Sequence, residues 1–347
     1  MLAVDSKIAA GNGRTPHPET AAAWKQIVEP VEPFLESVAT RLARQVNEFD
    51  PALAQYAEYA LNGHGKHLRP TLVALAANSL GKTNDSHVTV AVIIEMVHLA
   101  TLVHDDIMDE AEVRRGQLTL AANWGNEIAV LFGDCLFAQS LKLAASFPTP
   151  DVCRAVSSAT NTVCSGEILQ TRHRRNFELS RRDYFRVLEM KTAELFALSC
   201  DLAAFLSEAT PAQRAALREF GLTFGTAYQI YDDCVDLFGT EKDAGKSLGT
   251  DLAKGKLTYP VLLAWERANA ADRTRLESLV QDWQPGAFAR MSELLGRYET
   301  LSPSLEIIER YLTQARQSLK SLPESEGRAG LSGVTEYLAR QTAVLSE

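Results

Sequence analysis

Helical periodicity runs through this chain, and one stretch, Ile93 to Leu102, is apolar nearly all the way round. A helix with no polar face has nothing to present to water, so it has to sit in the middle of a large bundle. Strand-like alternation is scarce. The spacing predicts helices at roughly 20–47, 52–62, 69–80, 86–109, 119–146, 150–173, 181–207, 211–238, 256–270, 272–283, 286–299, 303–321 and 333–346. Gly and Pro fall at the joints, among them Gly63, Gly65, Gly81, Pro148, Pro150, Pro211, Gly245 and Pro285. With 46% hydrophobic residues in 347, a large core is within reach. No linker or short repeat divides the chain. The expectation is all-α: one helical-bundle domain over 19–347, after a loose Gly-, Pro- and Thr-containing tail at 1–18.

Charge narrows the function. The chain carries 35 Lys+Arg against 44 Asp+Glu, a net charge of -9, which lacks the basic footprint of a nucleic-acid binder. The five cysteines (Cys135, Cys153, Cys164, Cys200 and Cys234) lie in apolar stretches without CxxC spacing and read as small core residues in a reducing compartment. Met1 to Pro18 lacks the basic and apolar regions of a secretory signal. The most apolar run, Val88 to Val103, contains Glu95 and His98, which favours a buried core helix over a membrane span.

Two carboxylate clusters carry the chemistry. Asp105-Asp106-Ile107-Met108-Asp109 ends the apolar helix at 86–109, and Asp232-Asp233-Cys234-Val235-Asp236 lies near the end of the helix at 211–238. Both have the form DDxxD. On a helix, positions i and i+4 share a face, so Asp105 projects with Asp109 and Asp232 with Asp236. Like charges at that spacing cost stability. A solvated acidic helix end would explain either cluster alone. Two clusters, each following a strongly apolar helix, instead call for cations, and hard oxygen ligands suit Mg²⁺. Basic residues flank them: Lys66 and Arg69 in Gly65–Pro70, Arg114 and Arg115 after the first cluster, Lys246 and Lys256 after the second. Singly these read as surface charges. Beside two metal sites they read as grips for two diphosphate groups.

In order and spacing, from about Asn62 to Leu263, these motifs resemble the all-trans polyprenyl diphosphate synthase family. The resemblance rests on Gly65–Pro70 (GKxxRP), His104–Asp109 with Arg114-Arg115-Gly116, Gln229–Asp236, and Gly245–Asp251 (GKxxGxD) with Gly255–Pro260. It implies that Asp105, Asp109 and Asp232 hold Mg²⁺, three ions per site, supported by Asp106, Asp233 and Asp236. It implies that Arg114, Lys191, Lys246 and Lys256 contact an allylic diphosphate, and that Lys66, Arg69, His98 and Arg115 bind isopentenyl diphosphate. Thr192 and Gln229 would flank the developing allylic cation. His98 alone would read as a satisfied core histidine; the resemblance makes it a ligand. One departure stands out: after Gly166–Gln170 the run Thr171-Arg172-His173-Arg174-Arg175 replaces the family's usual apolar or small polar residues.

The implied activity is head-to-tail (1'-4) condensation of isopentenyl diphosphate with an allylic diphosphate, by ionisation, condensation and elimination. A terpene cyclase would need no second diphosphate site, and a silent synthase subunit would be expected to have lost aspartates. In the family a bulky residue at the fifth position before the first aspartate stops growth early. Here that residue is Ala100, beside Thr101 and one turn above Val97, so the tunnel is expected to stay open to C30 or longer rather than stop at a farnesyl or geranylgeranyl product. A homodimer is the family expectation, with a cytoplasmic location, at most peripheral to a membrane through its lipophilic product.

Overall fold

The computed structural model describes residues 18–61, 67–114, 116–240, 248–284 and 286–346. Lys66, Arg115 and Lys246 lie outside them. The described chain is almost entirely helical; its only sheet is a two-stranded hairpin, β1 (Val113–Arg114) with β2 (Gln117–Leu118), paired Val113 to Leu118 and Arg114 to Gln117.

The helices are α1 (Pro18–Val28), α2 (Glu32–Arg44), α3 (Ala54–Leu61), α4 (Leu68–Asn78), α5 (Asp85–Met108), α6 (Leu120–Trp124), α7 (Asn126–Ala144), α8 (Asp151–Arg172), α9 (Arg181–Leu188), α10 (Glu194–Leu206) and α11 (Pro211–Phe238). There follow α12 (Thr250–Ala253), α13 (Tyr259–Arg267), α14 (Ala270–Gln281), α15 (Ala287–Arg297), α16 (Leu301–Ser318) and α17 (Glu326–Ala343). Helix α5 is the central element, packed on α2, α4, α7 and α10. By length and composition it could cross a membrane, but 67% of its most apolar stretch is buried in the bundle. Its Ile93, Ile94 and Met96 are fully buried, as are Phe196 of α10 and Phe220 and Phe224 of α11. The last two rings stack at 6.0 Å, and Phe196 meets Phe224 edge-on at 5.8 Å.

Three expected helices are interrupted, each for a local reason. The helix expected at 20–47 breaks into α1, a 3₁₀ turn at Glu29–Val31 and α2, because Pro30 and Pro33 each supply no N–H and start a new helical segment. That expected at 119–146 breaks at Gly125, whose φ of +88° lies outside helical space. That expected at 181–207 contains a π-helical turn at Glu189–Ala193 between α9 and α10. Such turns are rare and recur at functional sites; this one carries Lys191 and Thr192.

Candidate active site

A cavity of about 960 Å³ opens between α4, α5, α8, the π turn and α11. That is at the upper end of the roughly 300–1,000 Å³ typical of ligand sites. Its lining includes Asp105, Asp109, Asp232, Asp233 and Asp251, with Lys191 and Lys256 among them. Arg69, Glu95 and His98 line the same cavity from α4 and α5.

The end of α5 sets the first cluster. Asp109 is the C-cap, its backbone N–H still bonded to Asp105 O, and the chain then leaves the helix. Asp109 accepts hydrogen bonds from Lys256 Nζ (2.7 Å) and Arg174 Nη2 (3.0 Å), one on each carboxylate oxygen. Burial pushes its carboxyl up, but Lys256, Lys191 and Arg174 outweigh that and hold it below the ordinary range. Asp105 goes the other way: burial raises it, Lys191 at 3.6 Å offsets only part, and Glu167 adds to the rise. Lys191 also pairs with Glu167 and donates to Gln170 Oε1 (2.8 Å). Burial alone would lower its ammonium, yet Asp105 and Glu167 raise it above the ordinary value, so it stays charged. Gly166 makes this possible, since a Cβ there would lie 2.7 Å from Lys191 N.

The second cluster is wired differently. Asp233 accepts from Tyr184 Oη (2.6 Å) and from Gln229 Nε2 (2.9 Å), and Gln229 Oε1 accepts from Thr192 Oγ1 (2.9 Å). Thr192 and Gln229 therefore face the cavity as a linked pair. Burial, with Asp251 next, pushes Asp233 up to about 8 despite those two donors.

Asp106 and Asp236, which the resemblance makes supports of the metal holders, do not line the cavity themselves. Asp236 is fully buried and does not line the cavity. Its Oδ1 accepts from Thr250 N and Oγ1, and its Oδ2 from Asp251 N, so it pins the chain that presents Asp251. The reason is that α11 runs on to Phe238, leaving Asp236 inside the bundle. Asp106 also lies off the cavity wall and accepts from Arg114 Nε at 2.6 Å, which the β1–β2 hairpin brings back to it.

On the other flank, His67 opens α4 from the left-handed region (φ +45°) with Nδ1 3.4 Å from Glu95. The Arg69 guanidinium lies over the Phe196 ring, 4.6 Å from its centroid. Along α5, Thr101 lines the cavity, its hydroxyl bonded to His98 O, whereas Ala100 and Val97 are buried in the core and do not. The cause is helical phase: Thr101 and His98 fall four and seven residues before Asp105 and share its face, while Ala100 is about 140° round from it. Residues that periodicity did not bring forward as site members are Glu167, Gln170, Arg174, Tyr184 and Glu95. Only Arg174 had a signal, the unusual basic run that contains it.

The carboxylates suit a hard divalent ion. Among the described residues no three His, Cys, Asp or Glu side chains converge tightly enough to enclose an ion. Water and ligand oxygens would therefore complete the coordination, as is usual for Mg²⁺.

Comparison with known proteins places the chain. The Polyprenyl synthetase family profile matches residues 50–295. The chain is 32% identical over 307 residues to octaprenyl diphosphate synthase of Haemophilus influenzae, covering 88% of this chain and 93% of that one. Its fold superposes on a decaprenyl diphosphate synthase from Rhodobacter capsulatus with a TM-score of 0.86 at 29% identity, over 92% of this chain and 99% of the other. A polyprenyl synthase from Caulobacter crescentus CB15, complexed with calcium and isoprenyl diphosphate, gives a TM-score of 0.85 at 30% identity over 91% and 97%. This all-helical chain, with its two aspartate clusters on one cavity, belongs to the polyprenyl synthetase family and is a transferase of the polyprenyl diphosphate synthase type.

Proposed function

We propose that the protein extends an allylic diphosphate with isopentenyl diphosphate, using Mg²⁺, to an all-trans polyprenyl diphosphate of C30 or longer. The observation that carries this is the meeting of Asp105, Asp109 and Asp232 with Lys191 and Lys256 on one cavity that Arg69 and His98 enter from its other flank. One set suits a metal-bound allylic diphosphate; the other suits a second diphosphate. Mg²⁺ bound at the aspartates supplies charge neutralisation for the departing diphosphate. Asp105, Asp109 and Asp232 are its holders, three ions per site being the number the resemblance implies.

Lys191 and Lys256 are fixed cations beside the leaving group, so they need no reorganisation as its charge grows. The Thr192 hydroxyl and Gln229 amide face the cavity, where their oxygen dipoles favour an allylic cation. Apolar walls from Leu99, Leu102, Val163 and Leu195 keep water from that cation. Arg69 orients isopentenyl diphosphate for attack, and the released diphosphate takes the proton. Lys66, Arg115 and Lys246 would extend the two grips.

Incubation with radiolabelled isopentenyl diphosphate and several allylic primers, followed by mass spectrometry of the products, tests this. Chain-extended prenyl diphosphates support it, with C15 or C20 products sinking the length assignment alone. Cyclic hydrocarbon from primer alone, or no turnover, overturns the synthase reading.

Length control is assigned to Thr101, the residue on the cavity wall, rather than to Ala100 or Val97 behind it. One helical turn rises about 5.4 Å, on the order of one isoprene unit. A ring in Thr101→Phe, one turn from Asp105, should cut the product to about C15 or C20 with condensation retained. Unchanged product length would remove Thr101 from that role.

We further propose one domain over 19–347, a cytoplasmic location suited to five unpaired cysteines, and a homodimer. Leu131 of α7 and Ile168 of α8, 62% and 68% exposed, are large apolar side chains that a second copy would cover. Sedimentation velocity should give twice the chain mass, and Leu131→Glu should lower it.

A further inference from the structure

The basic run Arg172–Arg175 has no part in the chemistry above, yet one of its members touches a metal-site aspartate. Arg174 Nη2 donates to Asp109 Oδ1 (3.0 Å) while Lys256 Nζ donates to Oδ2 (2.7 Å). Both oxygens of one carboxylate are thus held by cations from separate segments of the chain.

Those segments are joined. The Arg175 N–H donates to Gly255 O at 2.7 Å, so the residues after Arg174 and before Lys256 are tied back to back. Arg175 has a φ of +58° and Gly255 a φ of +74°, and a Cβ on Gly255 would stand 2.7 Å from Arg175 Cγ. Arg175 is anchored in turn, its Nε donating to Val280 O and its carbonyl accepting from Gln281. Asp109 therefore sits in a braced two-cation clamp rather than beside one mobile arginine. Arg174 and Asp109 are each mostly buried, 24% and 21% exposed, so solvent screens the pair only partly. The Arg174 Nε is buried and makes no hydrogen bond among the described residues.

We infer that Arg174 is a positioning residue for Asp109: with Lys256 it occupies the carboxylate until a diphosphate arrives, so that metal and diphosphate are taken up together. This rests on the reading of Asp109 as a metal holder. A divalent ion that approaches Asp109 alone has to displace a cation already bonded there. A diphosphate gives that cation a better partner, since a guanidinium matches phosphate oxygens bidentately. Each ligand thereby lowers the cost of the other, and by linkage the effect is reciprocal.

The test is Mn²⁺ binding to the full chain, followed by electron paramagnetic resonance of the free ion. It is run with and without fixed inorganic pyrophosphate, whose own affinity for Mn²⁺ is subtracted. Arg174→Gln removes the competitor, so Mn²⁺ alone should bind about fivefold tighter or more, the lower end of ordinary coupling. The gain in Mn²⁺ affinity from pyrophosphate should shrink by a similar factor, whereas Arg174→Lys, which keeps the competing charge without the bidentate fork, should bind Mn²⁺ alone near wild type and lose part of the pyrophosphate gain. Arg174→Met, which keeps the aliphatic stem, serves if the Gln variant does not fold. A merely structural arginine would weaken metal binding on removal or leave it unchanged, and either result overturns the clamp. Wild type that binds no Mn²⁺ at all, with or without pyrophosphate, would instead overturn the metal reading beneath it.

Discussion

The two aspartate clusters share one sequence pattern and sit in unlike surroundings. Around Asp105 and Asp109 the partners are cations: Lys191, Lys256 and Arg174. Among the described residues, those bonded to Asp233 and Asp236 include the neutral donors Tyr184, Gln229, Thr250 and the Asp251 backbone. The difference follows from where each helix stops. Helix α5 ends at Met108, so the last aspartate of its cluster leaves the helix and meets two loops bearing cations. Helix α11 continues to Phe238, so its last aspartate is buried and becomes a cap for the next segment. A DDxxD pattern thus supplies three carboxylates, while the helix end decides where the last of them sits.

The largest expected effect treats the clusters as equals. Asp105→Ala and Asp232→Ala should each lower kcat by about two orders of magnitude or more, the scale for losing one preorganised electrostatic group. Circular dichroism should remain helical. Near-wild-type turnover in either variant would remove that cluster from the metal site.

Asp236→Ala should break the likeness. It strips at least the three hydrogen bonds from Thr250 and Asp251 off a buried carboxylate, so unfolding in urea should show a loss of roughly 2–4 kcal/mol, against little change for Asp232→Ala. Equal stability of the two variants would return Asp236 to the same standing as Asp232.

Proton linkage should separate the clusters further. Without metal, the Asp233 carboxyl is raised to about 8, far above its ordinary 3.8, so between those values the folded chain binds a proton that the unfolded chain has lost. Its contribution to stability is therefore greatest at low pH and falls as pH rises through that window, by at most about 1.4 kcal/mol per unit. Asp109, held low, contributes with the opposite sign: its share is present above the ordinary carboxylate range and lost in acid. Asp233→Asn should gain stability relative to metal-free wild type between about pH 5 and 8; a flat difference across that range would contradict the burial of its charge.

The smallest effects concern the grips. Arg69→Ala should mainly raise KM for isopentenyl diphosphate and Lys256→Ala that for the allylic substrate, each by roughly tenfold for one lost charged hydrogen bond. Equal effects on both substrates would merge the two flanks of the cavity into one site.

Much of this was legible in the residues. Helix α11 matches its expected span of 211–238 because Thr210 caps it, Pro211 opens it and an unbroken apolar face follows. The apolar Ile93–Leu102 stretch had to be central, and it is. Asp105, Asp109 and Asp232 fall together on one cavity, as do Arg69, His98, Lys191 and Lys256. The partners of Asp236 and Asp106 were not legible, because spacing places a side chain on a face without saying how far the helix runs or which loop returns to it. Ala100 and Thr101 are neighbours in the chain, and only the packing of α5 showed which one meets the cavity.

What the sequence determined by itself was the all-helical class and most of the helical spans, the burial of α5 and the presence of six carboxylates with cations near them in the chain. These depend on local propensity and on periodicity, which act over a few turns. What only the tertiary structure decided was pairing across long separations: Arg174 and Lys256 on Asp109, Tyr184 on Asp233, and Arg69 over Phe196. Those contacts join segments far apart in the chain, and no local pattern encodes them. They exist because the packing of α4, α5, α8 and α11 leaves a cavity at or beside which these side chains meet.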